Sequence, residues 1–129
     1  MSAPAPEIPT LLLAPNESAP ALARNFLSAQ FRMWGSADDF VARLVVCELV
    51  TNACRHGEGQ IILRVFRDVR ADLAVIEVWD QGAGLPVVGP EDLEATSGRG
   101  LLLMSQIVHD WGTRPITEGG KIVWAICAL

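Results

Sequence analysis

The stretch from Asp38 to Arg55 constrains the fold more than any other. Read as one helix, it turns by about 100° per residue, which gathers Glu48, Thr51, Asn52 and Arg55 into a strip about 100° wide. Nearly everything else on it is apolar. Val41, Leu44 and Val45 lie on the strip's side one or two turns earlier, and Val46, Leu49, Val50 and Ala53 cover the opposite side. A helix that is apolar almost all round is buried between layers, so a polar strip on it must face something polar that is also inside. Two readings follow: a pocket that takes a polar ligand, or a capped helix end whose last two turns emerge into water.

The rest of the chain supplies one core for that helix. Its 129 residues, half of them hydrophobic, fit a single domain over residues 10–129, preceded by a proline-bearing mobile arm at residues 1–9. Ten basic residues against 15 acidic ones give a net charge of -5, which argues against nonspecific binding to nucleic acid or to a membrane surface. Cys47, Cys54 and Cys127 are odd in number, sit in apolar surroundings and lack a CxxC spacing, so they read as buried reduced thiols. A reducing cytoplasm is the compartment expected. No apolar run approaches about 18 residues, and Met1 to Pro9 lacks the positive start and apolar stretch of a signal peptide.

In chain order, Thr10 to Ala14 predicts a short edge strand, stopped by Pro15. Asn16 or Ser18 opens a helix with Leu22, Phe26, Leu27 and Phe31 on one face, ending by Gly35. Ser36 and Asp39 have the spacing of a capping box at the start of the central helix, which Gly57 and Gly59 end. Gln60 to Arg67 and Asp72 to Asp80 predict a hairpin joined by the turn Asp68 to Ala71. Alternation in its second strand puts Ala74, Ile76, Val78 and Asp80 on one face and Leu73, Val75, Glu77 and Trp79 on the other. Either Asp80 continues an apolar face and needs a partner, or the strand has ended and Asp80 is a turn residue before Gly82. Leu85 to Ser97 is long and irregular enough for a lid, with a short helical turn near Glu91 to Ala95. Gly100 to His109 predicts a third helix packed through Leu101, Leu103, Met104, Ile107 and Val108. Trp111 to Ile116 and Lys121 to Ala128 close the chain as a pair of strands around Glu118, Gly119 and Gly120.

Besides the polar strip of the central helix, two stretches have the composition to carry chemistry, each common by itself. Gly98, Arg99 and Gly100 before a helix suit a phosphate, because free backbone N–H groups at a helix start favour anions; a flexible helix entry has the same composition. Asp80, Gly82 and Gly84 form an ordinary turn sequence. Neither stretch matches a P-loop or a dinucleotide fingerprint.

In order and spacing, however, Glu48-x-x-x-Asn52, Asp80-x-Gly82-x-Gly84 and Gly98-x-Gly100 resemble the nucleotide-binding boxes of the GHKL ATPase/kinase superfamily. Within it, Glu-Leu-Val-Thr-Asn-Ala before His56 and Gly57, Gly-Arg-Gly-Leu-Leu-Leu-Met from Gly98, and Gly-Gly-Lys-Ile-Val-Trp-Ala from Gly119 are similar to the bacterial stand-alone anti-sigma-factor serine/threonine kinases. The resemblance runs from about Ser18 to the end. It implies an α/β two-layer sandwich of the Bergerat type, three helices on one mixed β-sheet, with ATP held between the helices and a lid. By the same resemblance Asn52 presents an amide oxygen to Mg²⁺. Glu48 is the general base toward a serine hydroxyl of a protein substrate, or orients it. Asp80 accepts from the adenine amino group, Gly82 and Gly84 let the backbone pass the base, and Gly98, Arg99, Gly100 and Leu101 meet the phosphates. His56 is read as structural, and Arg24 as facing a partner. The implied partners are a sigma factor, a small anti-anti-sigma antagonist protein and a second copy of the chain, with no direct nucleic acid and no membrane. One departure stands out: family members often carry a Thr after the glycine of the last hairpin, helping to hold the adenine-binding water, and here Lys121 and Ile122 take those positions. A binding-only switch, a histidine-kinase catalytic domain cut from its dimerisation helices, and a ligand-free structural domain are the competing functions.

Overall fold

The computed structural model describes residues 8–82, 104–117 and 119–129. Its elements, in order, are β1 (Thr10–Leu13), α1 (Ala19–Met33), α2 (Phe40–His56), β2 (Ile61–Asp68), β3 (Leu73–Asp80), β4 (Asp110–Pro115) and β5 (Lys121–Ala128). Residues 104–107 are helical, the described part of the expected third helix. The expected lid and its helical turn lie outside the described residues.

The strands form one five-stranded sheet in the order β1-β2-β3-β5-β4. Every pairing in it is antiparallel, where the resemblance implied a mixed sheet. Ile8 and Pro9, read from sequence as the end of a mobile arm, are tied to this sheet: Pro9 O accepts from Val65 N at 3.4 Å, and Ile8 O from the Thr10 hydroxyl at 3.0 Å.

Alternation along the strands assigns the two faces. Leu63, Val65, Ala74, Ile76, Val78, Val123, Ala125 and Cys127 point into the core under the helices. The helices fill the other side with Ala23, Leu27 and Phe31 of α1 and Ala42, Val45, Val46, Leu49 and Val50 of α2. Burying side chains of this size stabilises by about 1.5–3 kcal/mol each, which outweighs local preference where the two conflict. The opposite face carries Glu77, buried between Arg114 Nη2 at 3.1 Å and Arg64 Nη1 at 3.4 Å, the latter without hydrogen-bonding geometry. Arg64 also lies over the Trp79 ring, 5.6 Å from its centroid.

Three local expectations change. The capping box does not form, because Asp39 Oδ2 accepts instead from the Ser28 hydroxyl of α1 at 2.6 Å and so ties the two helices together. Ile107, expected in the core, is exposed, while Met104 is buried. Phe40, Val41 and Leu44 of α2 are exposed as well, so this helix is apolar on two sides but buried on one. The three cysteines are free, with Cys127 buried and Cys47 and Cys54 half-buried. Among the described residues no helix is long and apolar enough to cross a membrane.

Candidate functional site

The last two turns of α2 stand over the ends of β3 and β5. Of the four residues in the polar strip, only Asn52 is buried; Glu48 and Thr51 are half-buried and Arg55 is exposed. Asn52 Nδ2 donates to Glu48 Oε1 at 3.2 Å, the i, i+4 contact that one helical turn provides. That leaves Asn52 Oδ1 buried with no hydrogen-bond partner. Burial pushes the Glu48 carboxyl above its ordinary range, opposed by the nearby Arg55 guanidinium and by the Asn52 hydrogen bond.

Asp80 sits across from these groups at the end of β3. The first sequence reading holds, since Asp80 is the last residue of β3 on its apolar face and does have a partner; its Oδ1 also accepts from Gly82 N at 2.7 Å in the turn that follows. Its partner is Lys121, which the sequence marked only as a departure from the family's Thr. The antiparallel register sets Asp80 opposite Lys121, and Lys121 Nζ donates to the same Oδ1 at 3.0 Å and to Gly82 O at 3.4 Å. The two side chains are 1% and 5% exposed. Asp80 Oδ2 remains buried without a partner. The free cleft therefore presents two unsatisfied acceptors, Asn52 Oδ1 and Asp80 Oδ2, beside a buried ammonium, and each such oxygen carries a desolvation cost that a ligand donor or cation would remove.

Glycines shape this corner. A Cβ at Gly57, just past α2, would lie 2.6 Å from Asp80 Cγ and 2.6 Å from Ala53 O, so only glycine lets the helix end approach the carboxylate. Gly120, with φ at 96°, puts its backbone against the Asp80 carbonyl, where a side chain has neither the conformation nor the room. Beyond their place in the family resemblance, the sequence marked Gly57 as a helix stop and Gly120 as part of a turn. The cavity between Leu49, Asn52 and Ala53 of α2, Asp80 of β3, and Lys121 and Val123 of β5 is about 10 Å³, room for about one water.

The remaining expected site residues fare differently. Gly82 is buried beside Asp80, whereas Gly84, Gly98, Arg99, Gly100 and Leu101 lie outside the described residues. Arg24 is half-buried, and its Nη1 donates to Cys47 Sγ at 3.2 Å. His56 lines the cleft's edge.

An α/β sandwich with a polar cleft between α2 and the ends of β3 and β5 has a place there for a polar ligand. The profile of the histidine kinase-like ATPase domain family matches residues 13–127, and the chain belongs to that family. ATP is the ligand that this membership implies. Among solved structures, the histidine kinase domain of the blue-light-activated histidine kinase EL346 from Erythrobacter litoralis is similar to this chain, with a TM-score of 0.53 and 19% identity. The match covers 85% of this chain and 60% of that chain, so this chain spans about three fifths of the other's length and shares its fold. No curated protein matches the chain in sequence.

Proposed function

We propose that the chain is an ATP-dependent protein serine/threonine kinase that acts as an anti-sigma factor, phosphorylating a small antagonist protein and sequestering a sigma factor, and that two copies of it associate. The observation that carries the nucleotide half of this reading is the pair of buried, partnerless acceptors on facing elements, Asn52 Oδ1 on α2 and Asp80 Oδ2 on β3. They suit the two ends of one ligand. Asp80 Oδ2 would take the adenine amino group, and Asn52 would hold Mg²⁺ through Oδ1, since that ion prefers hard oxygen ligands and offsets phosphate charge.

Glu48 stands one turn from Asn52, and its carboxylate would accept the proton of a serine hydroxyl as that oxygen bonds to the γ-phosphorus. The bond from phosphorus to the β-phosphate oxygen breaks, leaving ADP and a phosphoserine. The sigma factor, the antagonist and the pairing of copies rest on the sequence resemblance. A binding-only switch is the second reading, since Glu48 Oε1 already accepts from the Asn52 side-chain amide at 3.2 Å. Incubating the protein with γ-labelled Mg-ATP and candidate antagonist proteins from its own genome tests the choice. Label on a serine of one candidate supports the kinase. Nucleotide binding and partner capture without label would establish the switch.

A further inference from the structure

The nucleotide reading leaves the buried charge that lines the cleft beside Asp80, Lys121, without a role. Its ammonium carries three N–H bonds. One is directed to Asp80 Oδ1 at 3.0 Å and a second reaches Gly82 O at 3.4 Å, which leaves a third for a ligand. Asp80 meanwhile keeps Oδ2 for a donor. A free donor thus stands beside a free acceptor at the inner end of the cleft. The complementary ligand edge is a donor next to an acceptor, which is how adenine presents its exocyclic amino group beside ring nitrogen N1.

Resting on the reading of this cleft as an adenine-nucleotide site, we infer that Lys121 is a base-reading residue: its Nζ donates to N1 of the bound adenine while Asp80 Oδ2 accepts from the amino group. The ammonium stays in place when the base enters. Withdrawing it would strand a carboxylate that is 1% exposed, and the strand register and the close Gly120 backbone hold the two residues opposite each other. The base enters instead by widening the cleft, whose volume is about 10 Å³. A carboxylate alone reads one atom of the base, whereas this pair reads two. An exocyclic carbonyl beside a ring N–H, as in guanine, would set two oxygens against each other and point an N–H at an ammonium.

Calorimetric titration of the wild-type protein with Mg-ATP, Mg-GTP and the Mg complex of 1-deaza-ATP, in which N1 is replaced by a C–H, tests this directly. A charged hydrogen bond to N1 predicts that 1-deaza-ATP binds at least about tenfold more weakly than ATP, with GTP weaker still. Lys121→Met should bind ATP about tenfold more weakly than wild type and lose its preference over the deaza analogue. Equal binding of ATP and 1-deaza-ATP by wild type overturns the role of Lys121 while leaving the nucleotide site intact. So does Lys121→Met binding ATP as well as or better than wild type, which would make the ammonium a competitor of the base. A folded wild type that binds no adenine nucleotide retires both readings. The comparison of analogues on the wild type decides even if the variant does not fold.

Discussion

Replacing Lys121 with Met keeps an unbranched side chain one atom shorter and removes the charge that faces Asp80, so it bears mainly on the buried ion pair rather than on packing. Both partners are almost fully desolvated, with 1% and 5% of their side chains exposed. Breaking such a pair from one side costs about 3–5 kcal/mol, because the remaining charge keeps its desolvation penalty without its partner. Gly82 N still donates to Asp80 Oδ1, so the lower half of that range is expected. Total stability for 129 residues is roughly 6–19 kcal/mol, and the variant therefore gives up a substantial part of it. The double variant Asp80→Asn/Lys121→Met has no stranded charge and should recover much of the loss. The predicted coupling in the double-mutant cycle is about 2–3 kcal/mol. Urea denaturation without nucleotide, followed by fluorescence of the four tryptophans, measures each corner of the cycle. Costs of the two single variants that add within about 0.5 kcal/mol would mean that the pair is not formed in the folded protein.

Other consequences follow from the same corner and from the core. Gly57→Ala drives a methyl into Asp80 and Ala53 O, and should cost about 1–3 kcal/mol in denaturation together with weaker Mg-ATP binding; unchanged affinity would detach the helix end from the site. Asn52→Ala removes a buried oxygen and should lose ATP affinity mainly in the presence of Mg²⁺, so equal losses with and without the ion would end its proposed metal role. Serine phosphorylation needs Glu48 ionised, and burial raises its pKa, so the rate should climb with pH through a value above the ordinary carboxylate range. Glu48→Gln should lower transfer by about 10²–10⁴-fold and remove that acid limb, with ATP binding retained; full transfer would strip Glu48 of the role. The Cys127 thiol, pushed up to about 11 by burial, should resist a disulfide reagent at pH 8 in the folded protein and react on unfolding; rapid native labelling at this position would contradict its place in the core.

Much of this arrangement is legible in the chain because it rests on short-range periodicity. The alternation in β3 assigns the Asp80 face correctly, and the i, i+4 spacing brings Glu48 and Asn52 into contact. What escapes sequence reading depends on neighbours distant along the chain. Asp80 and Lys121 are 41 residues apart and meet only because β5 inserts between β3 and β4, a choice that no local pattern encodes. Ser28 likewise takes Asp39 from its expected capping role because α1 and α2 pack side by side. Periodicity shows that α2 is apolar on two sides, but not which side has a neighbour, and so Val41 and Leu44, expected inside, stand exposed. Glu77 shows the same limit in reverse, since only the folded sheet brings Arg64 and Arg114 to its carboxylate.

The central claim is that an adenine nucleotide binds between the end of α2 and the facing ends of β3 and β5. Backbone-resolved NMR of the labelled protein, titrated with Mg-ATP, places the ligand without substituting any residue. The account predicts saturable shifts of the Asn52, Gly57, Asp80, Gly82 and Lys121 amides, with the side-chain amide of Asn52 among the largest. The far end of the sheet, at Arg67 and Asp72, should stay unmoved. Saturable shifts confined to that far end, or none anywhere at millimolar Mg-ATP, would contradict it.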